Sequence, residues 1–244
     1  MVFSVIIATY NAENVLSTTL DSLKKQTCKN FELIIIDGNS NDSTKNIITS
    51  NLDIVSSWIS EPDNGIYDAW NKGIRMAKGE WICFIGAGDT LVPDALEKYA
   101  YFIHKLKDKV DYISAKIART TENNTYTSDL GEPYTWKSLR KKMNVAHVGS
   151  LHNKNLFKEI GLYNTEYKIA ADYELLLRKK GKLKAVFMDY VIGTMPIGGI
   201  SFSVKALKEA AKAKRETGQI STFSIFYHYI IGYILLKTYR IRHK

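Results

Sequence analysis

Only two cysteines, Cys28 and Cys83, occur in 244 residues. No disulfide framework is therefore available, and Cys83 sits inside an apolar run, which fits a structural thiol in a reducing compartment. Five histidines and those two thiols are too few for a tetrahedral zinc site. No apolar run reaches the ~20 residues that a bilayer-spanning helix needs. Residues 223–236, FSIFYHYIIGYILL, provide 14. The opening MVFSVIIATYN has no basic leader and no small-residue cleavage site, so it reads as a first strand rather than a signal peptide. No nucleic-acid-binding module is recognisable, which argues against nucleic acid as a partner.

What is present suits a packed globular chain. Hydrophobic residues make up 45% of the sequence, and the net charge is +9. The charge is unevenly spread: residues 1–100 carry 8 Lys+Arg against 13 Asp+Glu, and residues 101–244 carry 26 against 12. The two halves are expected to face different partners, the basic one an anionic lipid surface or a phosphorylated acceptor.

Periodicity organises the first half around residues 60–90. Ile66, Ala69, Trp70, Gly73, Ile74 and Ala77 recur at three- and four-residue steps and lay one apolar stripe on a helix. Asp63 or Asn64 is expected to cap its start, and Lys78 with a left-handed Gly79 to end it. Residues 81–85 then form a buried strand without alternation, which leaves Asp89 just beyond its carboxyl end, where open α/β sheets bind ligands. Residues 2–8 and 31–36 are further strands followed by helical patterns, and Asp37 ends the second as Asp89 follows the later one. A third strand is expected near residues 54–59. Strand–helix alternation with short links predicts a doubly wound, mostly parallel sheet.

Downstream, residues 95–103 read as a helix, 110–117 as a strand, and 120–131, with Asn123-Asn124, as a loop or weak hairpin. Trp136, Leu139 and Met143 among Lys137, Arg140, Lys141 and Lys142 form a basic amphipathic segment. A last strand is expected at residues 185–192, then a glycine-bearing MPIGGIS stretch and a lysine- and alanine-rich helix. The apolar run 223–236 meets a basic end, Lys237, Arg240, Arg242, His243 and Lys244. That combination suits a helix lying in a membrane interface or one packed on the domain.

The segment EPDNGIYDAWNKG, followed by the strand ending GAGD, resembles the family-2 inverting glycosyltransferases, in the branch that reads E-P-D-x-G-I-Y-D-A-x-N-K-G. The resemblance spans residues 1–201. It implies a GT-A type α/β fold over residues 1–200, with a nucleotide-binding half at 1–100, an acceptor half at 101–200 and a basic helical extension at 201–244. It also implies transfer of a sugar, with inversion, from a nucleotide diphosphate sugar, UDP-linked, to a polysaccharide or lipid-linked glycan. The family usually ends its metal-binding strand with two aspartates; here Ala87 stands at the first and Asp89 alone would hold Mg²⁺ or Mn²⁺.

By the same resemblance, Thr9, Asn11 and Asp37 line the uridine pocket, with Asp63, Asp68 and Asn71 nearby. The residues alone also allow Asp37 to be a turn cap, Thr9 to satisfy its own turn, and Asp63 and Asp68 to serve a helix start. His147, Leu156, Phe157, Gly161, Tyr163 and Asp172 follow the order of the family's acceptor region, which implies Asp172 as catalytic base. Without it, Asp172 reads as a helix-start carboxylate and His147 as a core histidine as readily as a substrate or diphosphate ligand. Two other classes remain: a non-catalytic nucleotide-sugar binder and a basic adaptor on a membrane surface. The expected site of action is the cytoplasm, peripheral on the inner face of the membrane.

Overall fold

The structure is a computed structural model that describes residues 2–121, 125–199 and 201–242, the last four as backbone alone. Asn123 and Asn124 of the anticipated loop, Ile200 of the MPIGGIS stretch, and His243 and Lys244 of the basic end lie outside the described residues.

The chain begins β1 (Phe3–Thr9), α1 (Leu16–Lys24), β2 (Phe31–Asp37), α2 (Thr44–Thr49), β3 (Val55–Ser60), α3 (Ile66–Met76) and β4 (Trp81–Gly86). These four strands are parallel, in the order β3-β2-β1-β4. Every residue of β1 is buried, which is possible only because helices cover both faces. Phe3, Val5 and Ile7 pack with Leu16, Leu20 and Leu23 of α1; Ile6 and Ala8 point the other way and pack with Trp70 and Ile74 of α3. Alternating side chains on a pleated strand therefore feed two cores, each such aliphatic contributing roughly 1.5–3 kcal/mol of burial.

The chain continues with β5 (Thr90–Leu91), α4 (Ala95–Lys105), β6 (Tyr112–Thr120), β7 (Tyr126–Leu130), α5 (Trp136–Leu139) and β8 (Leu151–Asn153). It closes with α6 (Lys154–Ile160), α7 (Ala171–Arg178), β9 (Ala185–Pro196), α8 (Val204–Thr217) and α9 (Thr222–Arg242). The sheet extends from β4 through β8, β6 and β9 to β5, with β7 paired to β6 as the anticipated hairpin. Parallel pairing dominates the first half, as expected. Among the described residues of the second half only β6 and β9 run parallel; β8 is antiparallel to both β4 and β6.

Two local expectations are corrected. The start of α3 carries no side-chain cap: Gly65, at φ 109°, holds that position. Asp63 instead accepts from the Gly65 amide at 2.8 Å, and Asp68 reaches back to the Asn64 amide at 3.0 Å. Gly79 is not left-handed. A Cβ there would lie 2.7 Å from the backbone of Phe3 and Ser4, so close approach to β1 is what requires the glycine.

The extension after residue 200 is not a loose tail. On α8, Glu209 accepts from the amides of Lys168 (3.0 Å), Ile169 (2.7 Å) and Ala170 (3.1 Å), which lead into α7. Tyr167 donates to Glu216 at 2.6 Å. The apolar α9 packs on α8, with a Cβ at Gly232 only 2.8 Å from Leu207, yet leaves Phe223 80% and Phe226 63% exposed. No helix among the described residues is long and apolar enough to cross a membrane.

Candidate active site

Parallel register sets the nucleotide-side residues in a row at the carboxyl ends of the strands: Thr9 is opposite Asp37, and Asp37 is opposite Ser60. Asp37 is fully buried. Its carboxylate accepts from the Ser40 hydroxyl, from the Ser40 amide at 3.0 Å and from the Ser60 hydroxyl at 2.6 Å. It is thus the turn cap that its residue type allowed, and it braces the loop that follows β2 rather than presenting itself to solvent.

Asn11, left-handed at φ 47°, ties the loops after β1 and β2 together. Its amide donates to the Ser40 hydroxyl at 2.8 Å, and its side-chain carbonyl accepts from the Asn41 amide at 3.0 Å. Asp63 closes the same corner, since a Cβ on Gly38 would sit 2.6 Å from its Oδ2. The buried Thr9 hydroxyl has no hydrogen-bond partner among the described residues. Asn11, Asp37 and Asp63 therefore brace one corner, with Thr9 beside Asp37 in the strand register. Asp68 stands apart, turned toward the Asn64 amide and 3.9 Å from Lys72. Asn71, expected beside the nucleotide, is turned inward: its amide donates to the Tyr163 carbonyl and accepts from the Tyr163 amide, each at 2.9 Å. Both polar ends are spent on holding that turn against α3.

Asp89 is 8% exposed and accepts from the Gly86 amide at 2.9 Å. Burial pushes its carboxyl up to about 7, against the pull of that hydrogen bond. Among the described residues no group of three or more His, Cys, Asp or Glu side chains is placed to hold a metal ion. One carboxylate does fit the class of Mg²⁺ and Mn²⁺ sites in which one or two protein oxygens are completed by substrate phosphates and water.

Asp172 and His147, anticipated on the acceptor side, come together around a cavity of about 550 Å³. Its wall includes Asp172, His147, Tyr67, Trp70 and Lys168. Asp172 lies in the first turn of α7, where the helix dipole favours a carboxylate. Its Oδ1 accepts from the Tyr67 hydroxyl at 3.1 Å and from the Tyr173 amide at 2.8 Å; Oδ2 has no partner among the described residues. The Tyr67 hydroxyl also donates to the Ile169 carbonyl at 2.6 Å. Burial, then the Asp172 charge, pushes that phenol far above its ordinary value, so it stays a donor.

His147 makes the contacts of a core histidine and also borders the cavity. Its ring stacks on Trp70 with centroids 4.8 Å apart, and its Nε2 meets the Tyr163 hydroxyl at 2.9 Å. It is thus a satisfied aromatic-cluster residue that also borders the cavity. Burial holds it below its ordinary pKa, with the Asp172 charge acting the other way.

Tyr67 and Lys168, at the cavity wall, and Glu209, behind the turn into α7, are residues that sequence patterns did not single out. Tyr67 lies within the EPDNGIYDAWNKG segment, the one signal that could have marked it. Nothing in a lysine- and alanine-rich helix marks Glu209 as the acceptor for three distant amides.

Known proteins match this geometry at the level of family and fold. The family model described as Glycosyl transferase family 2 matches residues 4–161. A "PGL/p-HBAD biosynthesis glycosyltransferase" of Mycobacterium bovis (strain BCG / Pasteur 1173P2) is 33% identical over 209 residues, covering 83% of this chain and 80% of that one. S. aureus TarS 1–349, solved in complex with UDP-GlcNAc, superposes with a TM-score of 0.69 at 19% identity, over 92% of this chain and 69% of that chain. Against another TarS crystal structure the TM-score is 0.70, and this chain spans 43% of that chain. The mannosyltransferase PcManGT of Pyrobaculum calidifontis, in complex with GDP-Man and Mn²⁺, gives a TM-score of 0.65 at 16% identity over 90% of this chain and 65% of that one.

Proposed function

The chain belongs to glycosyl transferase family 2, and from that premise we propose that it moves one sugar, with inversion, from a UDP-linked donor to a hydroxyl of a glycan or lipid-linked acceptor. The observation that carries this reading is the Asp172 carboxylate at the wall of the 550 Å³ cavity, tethered through one oxygen and without a described partner at the other. An inverting displacement needs a base on the acceptor's face, opposite the departing diphosphate. In this reading Asp172 takes the acceptor proton as the oxygen attacks the anomeric carbon.

Tyr67 keeps the carboxylate turned to the cavity, and its own proton is shared with the Ile169 carbonyl rather than delivered to substrate. Trp70 and His147 provide a flat, largely apolar wall of the kind that seats sugar rings. On the donor side, Asn11, Asp37 and Asp63, with Thr9 beside Asp37, shape the uridine pocket mainly through the loop backbone that the first three brace. Asp89 is the residue that would hold Mg²⁺ or Mn²⁺ with the donor's diphosphate. The ion would supply neutralisation of the leaving-group charge. The exposed Phe223 and Phe226 of α9 support a peripheral seat on a membrane surface; the cytoplasmic face is part of the same proposal.

The test is a panel of nucleotide sugars with and without Mn²⁺, read first as thermal shift and then as transfer, in the wild type and in Asp172→Asn. The variant should keep donor affinity and melting temperature while turnover falls by about two to four orders of magnitude. A variant that retains its rate would place the base elsewhere.

A further inference from the structure

A second cavity, of about 410 Å³, opens beside the first and shares Asp172, Met143, Ile169 and Ser201 with it. It runs between α8 and α9, where Leu207, Ala210, Ile231 and Leu235 make its lining apolar. One feature of that lining is out of keeping with an ordinary helix–helix seam. Lys214, on α8, is only 7% exposed and lines the cavity, yet its ammonium makes no hydrogen bond or ion pair among the described residues. Burial pushes it down to about 8.

A buried ammonium without a counter-charge is costly, and buried charges are ordinarily paired. Other buried or half-buried cations are paired: Arg178 forks onto Glu174, Lys179 meets Glu159 at 2.8 Å and Lys212 meets Glu166 at 3.4 Å, whereas the Nε of Arg140, beside Lys141, is also without a partner among the described residues. Lys214 stands at the edge of an apolar cavity, and Lys141 and Lys142 stand on the same rim. The ammonium opens onto the cavity, where an anion would give it a counter-charge, and the surface around it is largely apolar.

We infer that this cavity receives an anionic amphiphile drawn from a membrane, its hydrocarbon lying between α8 and α9 and its phosphate pairing with Lys214. Continuity with the first cavity then sets the head of that molecule beside Asp172. The inference deepens the proposed function and rests on its placing the acceptor at Asp172: the acceptor class is a phosphate-bearing lipid rather than a free sugar. The exposed apolar face of α9, carrying Phe223 and Phe226, supplies the route, because the same helix that walls the cavity meets the membrane.

Calorimetric titration of the full chain with dodecyl phosphate, dodecyl maltoside and inorganic phosphate, below micelle formation, tests this. Dodecyl phosphate should bind at least tenfold more tightly than either of the others. Lys214→Met should remove that preference without lowering the melting temperature, Lys214→Arg should restore it, and Ala206→Phe should block the alkyl probes by filling the cavity. Equal binding of dodecyl phosphate and dodecyl maltoside, or a preference that survives Lys214→Met, would overturn the phosphate assignment. Tight binding of inorganic phosphate alone would overturn the lipid source. Asp172→Asn, which removes a negative charge from the cavity wall, should bind dodecyl phosphate at least as tightly as the wild type, so an active Asp172→Asn would sink the base assignment while leaving this cavity's ligand standing.

Discussion

Tyr67 and Asp172 are 105 residues apart in the chain and joined by a 3.1 Å hydrogen bond. One stands in the first turn of α3, the other in the first turn of α7. The bond therefore couples the helix that follows the first three parallel strands to the helix that presents the cavity carboxylate.

Replacing Tyr67 by Phe removes that tether and leaves the Ile169 carbonyl without its partner. Turnover should fall about 10- to 100-fold through misplacement of the carboxylate. Stability should fall by about 1–2 kcal/mol for the orphaned buried carbonyl. Steady-state kinetics beside urea unfolding separates the two, and an unchanged rate would leave Tyr67 a core residue only.

Asp89→Asn keeps the size of the side chain and an acceptor for the Gly86 amide. Because Ala87 offers no second carboxylate, the substitution should abolish the Mn²⁺-dependent part of UDP binding in calorimetry. UDP affinity that still rises with Mn²⁺ in the variant would show that the ion is held elsewhere.

Acid should destabilise this fold through its buried histidines, offset in part by Asp89, whose carboxyl burial pushes up to about 7 and which therefore takes its proton more readily folded than unfolded. Burial, and then His147, hold His152 well below its ordinary value of 6.5. Below that value the unfolded chain takes a proton that the folded one refuses. Stability is thus fully present above about pH 6.5 and is lost as pH falls, at a slope of ~1.4 kcal/mol per pH unit for each such histidine. Urea midpoints measured from pH 7.5 to 5.5 should show the decline, and His152→Phe should flatten it; an identical slope in the variant would assign it to other groups.

The outer face of α9 carries the membrane prediction. Changing both Phe223 and Phe226 to Ser removes exposed aromatic surface without touching the side packed on α8. Co-sedimentation with anionic vesicles should drop several-fold while UDP binding is kept. Undiminished sedimentation would shift attention to the lysines.

The parts of this molecule that followed from its residues are those governed by local pattern. Largely apolar runs such as those of β1, β2 and β4 have one stable solution, burial on both faces, and the stripe on α3 has one side to pack. Antiparallel β8 escaped detection because three residues carry no periodicity. Asp37 and Asn71 show a different limit: a polar residue at a strand end or on a helix suits a ligand and a bracing role equally, and only the positions of Ser40, Ser60 and Tyr163 decide which hydrogen bonds it makes. Lys214 shows a third, since a lysine in a lysine-rich helix looks solvated until the opposing helix covers it.

Glu209 has a consequence for where this enzyme can be cut. A division at residue 200, between a catalytic body and a dispensable appendage, would strip three amides at the mouth of α7 of their shared acceptor and unpin the turn from which Asp172 projects. Truncation in search of a minimal active fragment can release α9, but it must stop short of α8, because the last piece of the acceptor-side scaffold is supplied by chain that lies beyond the sheet.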